Sequence, residues 1–341
     1  MIFLLFISTP QSHANDAFSG LSTGGVEFQK SNSILMKSEE LYLSSDQIKV
    51  TYDFENVGNA SQEVTVSFPL PSVSAYDKIA DEVGHLDFSL LTSIADSFEV
   101  VADGKKIPFK KEMRAVKSGK DITDQLKALG LDPTNSGKDG KILSNIATKD
   151  IDKLLQEGWV EKLDDHLGPG YPDPYFRPLW AVEMKFFWEQ VFPPHKTVHV
   201  QHKYQASRSY SQLCFATDEM SEGKVHQLAG GETKKVEDEF CVDSQTRSGI
   251  NKLIQAARKK QASKPAVDHF CGSVKYILTS AKTWFGPIKN FHLILDKPKN
   301  SIVSTCFPDI KKVNATRFEA HLKNFVPDRE LDVLFVEAPG L

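Results

Sequence analysis

The stretch Trp180–Tyr204, WAVEMKFFWEQVFPPHKTVHVQHKY, limits what this chain can fold into more than any other. Trp180, Val182, Met184, Phe186 and Trp188 fall on one face, and Ala181, Glu183, Lys185, Phe187 and Glu189 on the other. Alternation with a period of two marks a half-buried strand. Val198, Val200, His202 and Tyr204 then alternate with Thr197, His199, Gln201 and Lys203. Pro193 and Pro194 lack a ladder donor and belong in the connection. The segment therefore reads as two strands folded back on each other. Burying the first apolar face stabilises by at most ~10 kcal/mol before chain entropy is subtracted. An isolated hairpin is marginal, so other strands must cover that face.

The rest of the chain supplies candidates. Ile48, Val50, Tyr52 and Phe54 alternate strictly, as do Val64, Val66, Phe68 and Leu70. Asp103-Gly104 between Phe98–Val101 and Ile107–Phe109 predicts a tight hairpin, because both central residues of that turn need positive φ. The period changes at Ile122, Leu126 and Leu129, a short helix with Gly130 as its C-cap. Thr148 opens a second helix carrying Ile151, Leu154 and Leu155, and Gly158 weakens its continuation into Trp159, Val160 and Leu163. Ile250, Leu253, Ile254 and Ala257 mark a third, amphipathic helix with Arg258, Lys259 and Lys260 in its last turn. Short strands return from Cys271 to Phe335. The expected fold class is mainly β (α+β). A β-sandwich domain over 15–210, with a helical insertion at about 118–170, precedes a smaller C-terminal domain over 211–341 with one helix and a small sheet.

With 341 residues, charged residues at 25% and a net charge of −4, the chain has neither the basic excess of a nucleic-acid binder nor a disordered charged tail. Residues 1–14, MIFLLFISTPQSHA, read as a signal peptide ending in Ser12-His13-Ala14, with a buried N-terminal strand as the alternative. The usual basic n-region is missing, which leaves the start codon open. The run is too short to span a membrane, and no later segment is apolar enough, so the mature chain has no transmembrane segment. Cys214, Cys241, Cys271 and Cys306 form an even set with no CxxC pair. In an exported chain that composition favours two disulfides over zinc. The favoured pairing is the nearest in sequence, Cys214–Cys241 and Cys271–Cys306.

The segment Leu21–Pro71, LSTGGVEFQKSNSILMKSEELYLSSDQIKVTYDFENVGNASQEVTVSFPLP, resembles the opening of a bacterial exported family, domain of unknown function 4424. Ile122–Leu131, Trp188–Pro194, Val200–Tyr204 and Thr283–Lys297 fit the same family in order. The resemblance implies bacterial secretion to the periplasm. It carries aromatic, Pro and Gly positions of a β-scaffold and no catalytic residues. The run from Tyr52 through Pro71 to Lys105 is also similar to β-sandwich domains of the vault/inter-α-trypsin type, a likeness of fold only.

His195, His199 and His202 are the candidate metal ligands. On a strand, His199 and His202 point to opposite faces, which favours structural or surface roles. Asp164, Asp165 and His166 are consecutive in a polar stretch and read as a solvated face. Signatures for a nucleophile, a zinc hydrolase or a phosphate loop are absent, and no cofactor is implied. Tyr171, Tyr175 and Phe176 among prolines form a candidate ligand platform or a plug between insertion and sheet, and Trp284 admits the same two readings. The leading expectation is a periplasmic or secreted binding or structural module of the cell envelope, with an envelope protein or glycan as partner and no nucleic acid. An envelope hydrolase whose acids converge only in three dimensions is the alternative, and a metal-binding carrier the second alternative.

Overall fold

The computed structural model describes residues 15–22, 25–74, 89–132, 148–163, 175–206, 209–211, 225–227, 233–260 and 270–338. Two large sheets dominate. The first runs in the order Lys120–Asp121, Lys110–Lys117, Ala181–Phe192, Gln62–Pro69, Ala17–Ser22, Gly25–Phe28, with Val73–Ser74 also on the central strand. The second runs Lys311–Lys312, Arg317–Phe325, Ile288–Asp296, Ile34–Ser44, Gln47–Asn56, Thr197–Gln205, Glu99–Ala102, Lys105–Lys106. Their inner faces pack on each other. Phe98 stacks on Phe186 with ring centroids 4.0 Å apart, and Phe68 meets Tyr204 at 5.6 Å. Ring pairs at such separations add to the area term that holds a sandwich together.

Trp180, Val182, Met184, Phe186 and Trp188 are all buried, as are Val198, Val200, His202 and Tyr204. The two strands do not form the expected hairpin. Ala181–Phe192 pairs with Gln62–Pro69 and Lys110–Lys117, whereas Thr197–Gln205 pairs with Gln47–Asn56 and Glu99–Ala102. The Pro193-Pro194-His195 turn, with His195 at φ 54°, carries the chain from one sheet to the other. Both strands have an apolar face, and those faces meet across the core, as Trp188 and His202 do at 5.1 Å. Alternation fixes which side is buried and leaves the hydrogen-bonding neighbour undetermined.

The local turn readings hold. Asp103 and Gly104 have φ of 46° and 77° and join Val101–Ala102 to Lys105–Lys106. The helix Thr123–Ala128 ends on Gly130 at φ 74°, with Leu131 N–H donating to the Leu126 carbonyl and Gly130 N–H to that of Lys127. These two hydrogen bonds satisfy two of the orphan carbonyls at a helix end. Gly158 closes the helix Thr148–Gln156 in the same way, through Trp159 N–H to Leu154.

Strands from beyond residue 210 also enter the second large sheet. Ile288–Asp296 lies parallel to Ile34–Ser44 within the second large sheet. A third sheet, in the order Ser209–Ser211, Phe270–Tyr276, Leu331–Glu337, Ser301–Thr305, is covered on both faces. Val333 and Phe335 join the main core, while Leu334 and Val336 pack with Phe240, Val242, Ile250 and Ile254 in a second one. The helix Ser244–Lys260 supplies Ile250 and Ile254 to this second core. Among the described residues no helix is long and apolar enough to cross a membrane.

The expected nearest-neighbour cysteine pairing is not the one formed. Cys241 is bonded to Cys306, with Cα atoms 5.0 Å apart and 65 residues between them in sequence. The short helix Val236–Glu239 sits at the end of Ser301–Thr305, where Ser304 Oγ donates to the Phe240 carbonyl at 2.8 Å. That docking brings the two sulfurs together. Cys271 is disulfide-bonded as well, and Cys214 lies outside the described residues.

Candidate functional site

The second large sheet carries polar clusters on both faces, and an irregularity in one strand decides which of its two acids faces which way. Ile34–Ser44 has a β-bulge between Met36 and Ser38. Ile34 and Met36 point inward before it, and Glu39, Leu41 and Leu43 after it. An extra residue in one strand reverses the parity of everything that follows. The bulge therefore turns Glu39 into the core and Glu40 out to solvent.

On the inner face, Asn15, Asp16 and His202 are 0% exposed and Glu39 is 1% exposed. His202 Nε2 lies 2.8 Å from Asp16 Oδ1, inside a cage of Phe68, Phe98, Trp188 and Tyr52 rings. Asn15 Nδ2 donates to Glu39 Oε2 at 2.9 Å, and Trp284 Nε1 donates to the Asp16 carbonyl at 2.6 Å. The Tyr52 and Tyr276 hydroxyls share a 3.0 Å hydrogen bond. Burial pushes the Glu39 carboxyl up to about 8, with the Asn15 amide opposing and the Asp16 charge adding to the rise. Burial also raises Asp16, against the pull of His202, and raises both tyrosines. Among the described residues, Glu39 Oε1, Asp16 Oδ2, Asn15 Oδ1 and His202 Nδ1 have no hydrogen-bond partner. Such orphaned atoms in a sealed interior are costly.

On the outer face, His292 stands opposite His321 across one ladder and beside Glu40 across the other. The two imidazoles stack with centroids 4.0 Å apart and planes 16° from parallel. His292 Nδ1 lies 3.2 Å from Glu40 Oε2 and its Nε2 3.4 Å from Glu319 Oε2. Glu319 Oε2 is also 3.6 Å from His321 Nε2. Potential ligand atoms of His292, Glu319 and His321 all lie within 4.8 Å of one another. Nearby, Arg317 grips Asp296 through Nε at 2.8 Å and Nη2 at 2.7 Å, which pins the same two strands in register. The guanidinium holds Asp296 below the usual carboxylate range. Two imidazoles and a carboxylate on a rigid ladder, open on one side, are a donor set suited to zinc or another divalent transition ion.

The residues singled out in the sequence are dispersed. His195 Nε2 is 3.0 Å from Asn59 Oδ1 in the inter-sheet turn, His199 Nδ1 is hydrogen-bonded to Asp53 on the outer face, and His202 is in the core. They do not converge. Trp284 is 1% exposed and packs on Phe54 at 4.5 Å, which makes it a core residue rather than a ligand platform. Phe176 is partly buried against the main core. Tyr175 begins the strand Tyr175–Pro178, and Tyr171, Asp164, Asp165 and His166 lie outside the described residues. His292, Glu319 and His321 were missed, although Phe291, Leu293 and Ala320 already marked their strands' inner faces.

The chain belongs to the family described as domain of unknown function DUF4424, whose model matches residues 14–334. No curated protein matches it. Among solved structures, a Legionella pneumophila protein described in terms of nutrient binding is similar at 13% identity and a TM-score of 0.41, over 96% of this chain and 70% of that one. An M1 zinc metallopeptidase of Deinococcus radiodurans is similar at 7% identity and a TM-score of 0.28, over 90% of this chain and 43% of that one. The yeast LTA4 hydrolase is similar at 9% identity and a TM-score of 0.27, over 89% and 29%. At TM-scores this low none of these likenesses extends to function.

Proposed function

We propose that this protein is an exported binding module of the bacterial envelope whose ligand is a divalent transition-metal ion held by His292, Glu319 and His321, with Glu40 alongside. The observation that carries the reading is the approach of the His292, Glu319 and His321 ligand atoms to within 4.8 Å of one another on a solvent-facing ladder. His292 and Glu319 are half-buried while His321 is exposed. The site thus has a fixed side and an open side, as suits an ion that must enter and leave. Export is supported by the disulfide Cys241–Cys306, which persists in oxidising compartments, and by the apolar leader-like run at residues 1–14. The acid–imidazole pair Asp16–His202 does not favour a hydrolase, because its complete burial withholds it from any substrate.

The test is calorimetric titration of the purified, untagged protein with Zn2+, Ni2+ and Cu2+. One equivalent should bind, and His292→Ala or His321→Ala should weaken it at least tenfold while His199→Ala leaves it unchanged. Binding unaffected by both of the first two substitutions would exclude this site.

A further inference from the structure

We propose that the mature chain begins at Asn15, and that the α-ammonium created there by cleavage of the Ala14–Asn15 bond is a buried partner of Glu39 in the sandwich core. The inference rests on the export reading above. Cleavage is hydrolysis: water adds across the peptide bond, Ala14 leaves as a carboxylate, and the Asn15 nitrogen takes up a proton to become an ammonium. An envelope signal peptidase is the class of enzyme that does this, and Ser12-His13-Ala14 offers it small residues at the first and third positions before the cut.

The geometry is that of a docked terminus. Asn15 is completely buried, and its backbone nitrogen donates to Ser280 Oγ at 2.6 Å. Ser280 Oγ in turn donates to the Asn15 carbonyl at 2.7 Å, and the next residue is held by Trp284 through its carbonyl. Glu39 Oε2 accepts from the side-chain amide of Asn15 itself at 2.9 Å. The other Glu39 oxygen has no partner among the described residues. An amide nitrogen has one hydrogen to give, and Ser280 takes it. An ammonium has three.

Charge points the same way. The cluster contains two carboxyls, Asp16 and Glu39, and one basic group, the His202 imidazole that Asp16 engages. The Tyr52 hydroxyl accepts from the Asp16 N–H and is hydrogen-bonded to Tyr276. A Glu39 carboxylate has no cation beside it among the described residues, since its partners are the Asn15 amide and Asp16, and Asp16 engages His202. An α-ammonium at Asn15 neutralises the Glu39 carboxylate and supplies donors, the condition under which buried charges are tolerated. Processing then completes the core, and a chain still joined at Ala14 keeps an unmatched buried acid.

The experiment starts with the full chain expressed with its own leader in a bacterial host. Intact mass and N-terminal sequencing of the periplasmic protein should give Asn15 as the first residue. Unfolding by urea is then compared for the mature protein and for one carrying a single extra Gly before Asn15, each with Glu39 and with Glu39→Gln. The extra residue should lower the folding constant ~100-fold or more with Glu39 present, and less than threefold in the Glu39→Gln background. In the native mature protein the α-amine should also resist reductive methylation under conditions that modify exposed lysines, a readout that stands if an extended variant fails to fold. Equal effects of the extra residue in both backgrounds, or an α-amine as reactive as lysine, would overturn the pairing. A periplasmic chain with another first residue would overturn it while leaving export intact. A chain found only in the cytoplasm would overturn export itself.

Discussion

Glu39 makes a sharp prediction about pH in any chain whose Asn15 nitrogen is still acylated, such as one carrying the extra Gly. Its carboxyl binds a proton at about 8 in the folded protein against 4.5 in the reference state. Between those values the folded state holds more protons than the unfolded one. The contribution to stability is therefore complete below pH 4.5 and is lost as pH rises through 8. At about 1.4 kcal/mol per unit, the loss is about 3 kcal/mol by pH 7 and about 5 kcal/mol over the whole window. Asp16, also raised by burial, contributes in the same direction, so the comparison that isolates Glu39 is with Glu39→Gln. The glutamine keeps an acceptor for the Asn15 amide and has nothing to ionise. Urea unfolding at half-unit steps from pH 5 to 8 should show the extended Glu39 chain falling away from its Glu39→Gln counterpart by about 3 kcal/mol at pH 7. Parallel profiles for the two proteins would refute the reasoning. In the mature protein, where the ammonium faces the carboxylate, the same substitution should destabilise at pH 7.

Other outcomes follow from single contacts. Replacing Cys241 and Cys306 together by Ser opens a loop spanning 65 residues and should lower stability by about 4 kcal/mol in the chain-entropy account, read by urea unfolding under non-reducing conditions. Trp284→Phe removes the donor to the Asp16 carbonyl and part of a fully buried ring, with an expected loss of about 2 kcal/mol, rising to about 3–5 for Trp284→Ala. Gly104→Ala places a side chain at φ 77° in open space, so only backbone strain acts, about 1 kcal/mol by thermal melting.

Local chemistry was legible in the sequence. Asp103-Gly104, Gly130 and the alternation of Trp180 to Trp188 each specify their own conformation, because the forces involved act within a few residues. Pairing was not legible. Nothing in Ile288–Asp296 indicates a parallel partner at Ile34–Ser44, some 250 residues earlier, and the hairpin expected at Pro193-Pro194 is instead an arch between sheets. The cysteine pairing went astray for the same reason, since proximity in sequence stood in for a docking that depends on Ser304 and Phe240. For the outer cluster, the pattern around Phe291, Leu293, Phe318 and Ala320 already turns His292, Glu319 and His321 toward solvent. Only the cross-strand register puts them side by side. The bulge between Met36 and Ser38 determines that Glu39 faces the core and Glu40 the solvent, and it too depends on the pairing with Gln47–Asn56.

X-ray absorption of the protein loaded with one equivalent of Zn2+ tests the proposed binding face most directly. Two imidazole nitrogens and carboxylate oxygen at about 2.0–2.2 Å are the expected shell, reduced by one imidazole in His292→Ala. A shell containing sulfur, or one unchanged by that substitution, would contradict the assignment.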